Sequence, residues 1–72
     1  MTFQKGDRVE LVELHSGQRI VGGFYEGQTG TVIGEAAKDS PMILWDEAII
    51  PKCDPDTKII KSDCDSKTLK KI

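Results

Sequence analysis

Asp7-Arg8-Val9-Glu10-Leu11-Val12-Glu13-Leu14 is the stretch on which the fold class turns. Val9 and Leu11 alternate with Arg8 and Glu10, so one face of an extended chain is apolar and the other charged. After Leu11 the phase shifts by one, and Val12 and Leu14 share a face with Glu13 between them. Two readings of that shift are open. A β-bulge at Leu11-Val12 restores the inward direction and bends the strand, as small barrels require; alternatively, both faces are partly covered there. Either way the spacing is that of a strand, since a helix needs its apolar positions further apart.

Working outward, His15 to Gly27 contains four glycines and no sustained period, which predicts a long excursion between the first and second strands, with Ile20-Val21 a candidate for a short strand inside it. Connections longer than the usual hairpin loop of about two to five residues are more often functional or mobile. Gly27 and Gly30 frame a turn at Gln28-Thr29. The second strand is predicted over Gly30-Thr31-Val32-Ile33-Gly34-Glu35-Ala36, with Gly34 marking a bend or a close backbone approach. Ala37-Lys38-Asp39-Ser40-Pro41 is a polar connection ended by proline. Met42-Ile43-Leu44-Trp45, apolar on both faces, predicts a central third strand.

Beyond it, residues 48–56 hold two prolines and a turn cluster and read as a loop, with Ile49-Ile50 able to prolong a strand up to Pro51. Thr57 to Ser62 predicts a fourth strand. Residues 65–72 carry two signals: Leu69 and Ile72 sit three apart as on a helical turn that Asp65 or Ser66 would cap, and the stretch also suits a brief closing strand. A one-turn helix leading into a last strand accommodates both. The expectation is an all-β protein of one domain over residues 1–72, five short strands forming a small barrel, with a long loop between strands 1 and 2 and a short helical turn before the last strand.

Composition bounds the function. Seventy-two residues, with 38% hydrophobic and 31% charged, make one small globular unit with a thin core. The net charge of −2 argues against indiscriminate binding to nucleic acid or an anionic membrane. The charge is uneven, since residues 57–72 hold five lysines against Asp63 and Asp65 while residues 1–56 carry an excess of five negative charges. No apolar stretch is long enough for a signal peptide or a membrane span, so residence in the cytoplasm is expected, with Cys53 and Cys64 as reduced thiols.

Three stretches together suggest a family: Lys5-Gly6-Asp7-Arg8-Val9-Glu10-Leu11, Gly27-Gln28-Thr29-Gly30-Thr31-Val32 and Ile43-Leu44-Trp45-Asp46. In that order they resemble the SH3-like barrel group, as seen in KOW-type domains, in the small accessory subunit of photosystem I and in short bacterial and phage proteins of unknown function. Ser66 to Ile72 is similar to the helical turn and last strand of those barrels. The resemblance spans most of the chain and rests on glycines and apolar positions, so it implies a way of folding and not a task. The chain departs from peptide-binding SH3 domains in lacking their acidic, aromatic-lined Ala-Leu-Tyr-type stretch. Its pI of about 5.2 departs from the basic proteins that carry KOW domains.

Candidate residues follow from the loop and from the aromatics. Phe24 and Tyr25 in the long loop, with Arg19 and Trp45, form the candidate partner-binding set, because aromatic and arginine side chains dominate binding hot spots. The structural alternative has Phe24 plugging the barrel end and Trp45 filling the core with its indole N–H paired. Lys58, Lys61, Lys67, Lys70 and Lys71 are the candidate nucleic-acid residues of an alternative, KOW-like function, although no interleaved aromatics offer a stacking platform. His15, Cys53 and Cys64 are metal-ligand types without the paired short spacing of zinc sites, and the ten residues between the cysteines suit none. A Cys–His nucleophile has no oxyanion hole to work with. No metal, cofactor or catalytic residue is therefore expected. The expected function is that of a non-catalytic protein-interaction module, an accessory factor of bacterial or phage type docking on a larger protein; assembly through a sheet edge is a third possibility.

Overall fold

The computed structural model describes residues 3–72. Met1 and Thr2, part of the N-terminal stretch read above for a signal peptide, lie outside the described residues. Five strands, β1 (Arg8–Leu11), β2 (Thr29–Ala37), β3 (Ser40–Ile49), β4 (Ile59–Asp63) and β5 (Leu69–Lys71), form one open antiparallel sheet in the order β4-β3-β2-β1-β5. A six-residue helix, α1 (Ser16–Val21), lies between β1 and β2, and a 3-10 turn (Ser66–Thr68) precedes β5. Among the described residues no helix is long and apolar enough to cross a membrane.

The alternation of β1 survives intact: Val9 and Leu11 are fully buried while Arg8 is exposed. The strand ends at Leu11, short of Leu14, with no register shift in its ladders, although the Val12 backbone N–H still donates to the Thr68 carbonyl at 2.9 Å. Beyond that point Val12 is 40% exposed, while Leu14 packs against the core from outside the strand. In β2 the predicted irregularity at Gly34 is a register shift against β3 between Val32 and Gly34. Gly30 is the close approach in this sheet. A Cβ there would lie 2.6 Å from Ile43 Cγ2 and 3.2 Å from Trp45 Cε3, so its bare backbone lets the Trp45 ring lie across β2.

The third strand is longer than its apolar run, extending from Ser40 to Ile49. Pro41 lies inside its first turn of ladder, beside a second β2 register shift, where a missing N–H is tolerated. β3 is interior to the sheet as expected, but its run is not covered on both faces: Ile43 and Trp45 point into the core and Leu44 is 41% exposed. Val9, Val32 and Ile43 converge on one dry interior with Phe3, Leu11, Trp45, Ile49, Cys64 and Leu69, and Ile59 packs against it half-buried.

The connection from β4 to β5 constrains the shape of the sheet. These are the two edge strands, and four inter-strand gaps make a flat sheet about 19 Å wide. The chain from Asp63 to Leu69, part of it wound as a 3-10 turn, reaches only about 16 Å. The sheet is therefore curled, which brings the beginning of β5 toward the end of β4. Of the two caps the sequence offers, Asp65 serves, its carboxylate accepting the Lys67 backbone N–H at 3.0 Å.

Candidate functional site

The chain from 15 to 28, expected to be a loop with a short strand at Ile20-Val21, carries a helix there instead. A capping box starts α1: His15 Nδ1 accepts the Gln18 backbone N–H (3.3 Å) and Gln18 Oε1 accepts the His15 backbone N–H (3.2 Å). Two glycines then turn the chain, both at positive φ. At Gly23 a Cβ would fall 2.4 Å from the Ile50 carbonyl oxygen, so only glycine lets the segment settle against the end of β3. The Lys52 backbone N–H donates to the Val21 carbonyl at 3.1 Å, fixing the end of α1 to the same region.

One buried hydrogen bond ties α1 to the far edge of the sheet. Gln18, only 4% exposed, donates from Nε2 to Cys64 Sγ at 3.2 Å, just past β4. Burial pushes the Cys64 thiol up to about 11, with the charges of Asp63 and Asp65 adding to the rise against the opposing hydrogen bonds from Gln18 and Ser62. Cys64 is thus a protonated thiol at neutral pH and a poor nucleophile. Cys64 and the exposed Cys53 are both free.

Between α1 and β4 lies a cleft of about 530 Å³. Val21, Phe24 and Ile59 supply its apolar surface; His15, Ser62, Asp63 and Asp65 are among its polar lining. The 530 Å³ falls within the roughly 300–1,000 Å³ typical of clefts that hold small ligands or side chains. Among the described residues no three His, Cys, Asp or Glu side chains are grouped as a metal would require.

The candidate partner-binding residues separate into two pairs. Trp45 is 4% exposed and belongs to the core, with its indole N–H donating to Ser62 Oγ at 2.9 Å. Its assignment as a contact residue is corrected accordingly, because a ring this buried offers a partner no area. Phe24 is half-buried, meets Trp45 edge-to-face at 6.1 Å between centroids, and serves as cleft wall more than as free surface. Tyr25, 49% exposed, and Arg19, in the last turn of α1, do lie at the surface. Tyr25 donates to Glu47 Oε2 (3.3 Å), whose charge holds the phenol above its usual range. The lysines are scattered: Lys61 lies on β4, Lys70 and Lys71 on β5 at the other edge, and Lys58 and Lys67 outside the strands. Lys71 pairs with Asp7 at 3.6 Å, and Lys70 sits across the ladder from Glu10.

Sequence reasoning missed His15, Gln18, Ser62 and Asp63 as cleft residues. One signal was available, since Gln18 follows His15 at the spacing of a capping box and precedes the apolar pair Ile20-Val21. No family model, curated protein or solved structure matches the chain.

Proposed function

We propose that this chain is a small non-catalytic protein-interaction module of the SH3-like barrel kind, working in the cytoplasm as an accessory factor that docks on a larger protein. The cleft between α1 and β4 carries this reading: it is open, mixed in polarity, and bordered by the long β1–β2 connection that also displays Arg19 and Tyr25. Rigid small sheets present recognition on such connections. A curled, half-open barrel that keeps β4 as an edge is supported by the short β4–β5 link, the 3-10 turn before the last strand, and the return of β5 beside β1. The lysine-based alternative draws less support, because its five residues are divided between the two edge strands and the chain outside them, and two of them face acidic partners.

The reading is tested by site-specific photocrosslinking in the host cytoplasm, with a photoreactive amino acid replacing Ile20 or Tyr25 and, as control, Glu35 near the β2–β3 turn. Crosslinks to one defined protein from the first two positions and not from the third are expected. Equal crosslinking from all three, or none from any, would overturn it.

A further inference from the structure

The charge of the cleft indicates what kind of group it takes. Asp63 and Asp65 line it, and no lysine or arginine is among its lining residues. Among the described residues neither carboxylate is in an ion pair. Asp65 commits Oδ1 to the 3-10 turn and has its second oxygen to offer. The negative field reaches the cleft's inner wall, for both carboxylates act to keep the buried Cys64 thiol protonated. Against this rim stand the apolar surfaces of Val21, Phe24 and Ile59. A group that buries a hydrocarbon stem while holding a cation at the edge fits both halves, and lysine and arginine side chains have that form. The cleft also borders β4, an edge strand with one row of main-chain groups outside the ladder, which suits an extended segment.

We propose that the α1–β4 cleft receives an extended segment of a partner protein through a lysine or arginine side chain, its stem on Val21, Phe24 and Ile59 and its head on Asp63 and Asp65, with a neighbouring aliphatic residue filling the remaining apolar surface. The inference rests on the protein-interaction reading and adds the chemistry of the partner.

Two reporters are built in. The Trp45 indole N–H is bonded to Ser62 in the cleft lining, and Phe24 touches the Trp45 ring, so occupancy should move the indole resonance. The full chain, labelled with nitrogen-15, is titrated with the capped pentapeptide leucine-arginine-leucine-lysine-leucine, with its analogue carrying glutamate at both basic positions, and with a thymidine oligonucleotide. The basic peptide is expected to shift His15, Gln18, the amides of Ser62 through Asp65 and the Trp45 indole N–H. Binding should weaken about fivefold or more in the Asp63→Asn, Asp65→Asn double variant, and again when salt rises from about 50 to about 500 mM. Asparagine at 65 retains the turn cap, so the variant keeps its fold. Equal shifts from the acidic analogue, unchanged affinity in the double variant, cleft shifts from the oligonucleotide, or no shift at millimolar basic peptide would each overturn the proposal. If crosslinking from Ile20 and Tyr25 still captures a protein while the peptide fails, this inference falls and the interaction reading stands; if both fail, both fall.

Discussion

Two sides of the molecule treat their polar groups in opposite ways. On the outer face of β1–β2–β3, Arg8 donates to both Asp46 oxygens and to Thr31 Oγ1 (2.8 Å), and Thr29 donates to Asp46 at 2.6 Å. The charged groups there are spent on one another across three strands, and the result is a clamp on sheet register. On the α1–β4 side the buried bond from Gln18 to Cys64 ties the helix to the chain just past β4, and Asp63 and Asp65 are left facing a cleft. Polar groups that satisfy each other hold a structure; polar groups left open beside apolar surface have something to offer a partner. The contrast separates the scaffold from its candidate working face.

The largest effect that sharpens the contrast is in the core. Trp45→Ala should cost about 3–5 kcal/mol in denaturant unfolding, because it empties the space above Gly30 and strands the Ser62 hydroxyl. Tyr25→Ala, at an exposed site on the working side, should stay within about 0.5 kcal/mol. Equal losses would erase the distinction between the two aromatic positions.

Next is Gly30→Ala, whose added Cβ meets Ile43 and the Leu44 carbonyl. A thermal midpoint lowered by the equivalent of about 1–3 kcal/mol is expected, and an unchanged midpoint would mean that β2 and β3 are not so closely apposed. Gln18→Ala removes the glutamine's half of the capping box, leaving the backbone N–H of residue 18 on His15 Nδ1, and removes the tie to Cys64, at about 1–2 kcal/mol. Its more telling readout is thiol labelling. Cys64 should react faster with a maleimide in the variant than in the parent, while the exposed Cys53 labels rapidly in both.

The smallest effect lies in acid. Hydrogen bonds from Arg8 and then from Thr29 hold Asp46 at about 2, against an ordinary 3.8. The unfolded chain therefore takes up the proton first as pH falls. The contribution is complete above about pH 4 and is lost on the way down to about pH 2. Asp46→Asn should lie below the parent in thermal midpoint near neutrality, and the two should converge near pH 2. Parallel curves throughout would show that the clamp contributes nothing.

What was legible in the sequence was local. Val9 and Leu11 announced a strand face, Gly34 its irregularity, and Asp65 its turn, each through a preference acting over a few residues. The end of β1 at Leu11 was written as a phase shift and was open to more than one reading. Helix α1 was hidden by Gly17, Gly22 and Gly23, which dilute the helical period in a segment only six residues long. The cleft was out of reach, because the contacts that build it join Gln18 to Cys64 and Phe24 to Trp45, pairs far apart along the chain. Arg8 and Asp46 meet in the same non-local way, through strand register that no short motif encodes.

Native-state amide exchange followed by nuclear magnetic resonance tests the division between scaffold and working face most directly. Amides of Val32, Ile43 and Trp45 should exchange only through global unfolding, whereas Arg19 and Gly22 of the α1 segment, bonded to His15 and Gln18, should exchange through a much cheaper local opening. Protection in α1 equal to that of the strands, or rapid exchange across β2 and β3, would contradict the account.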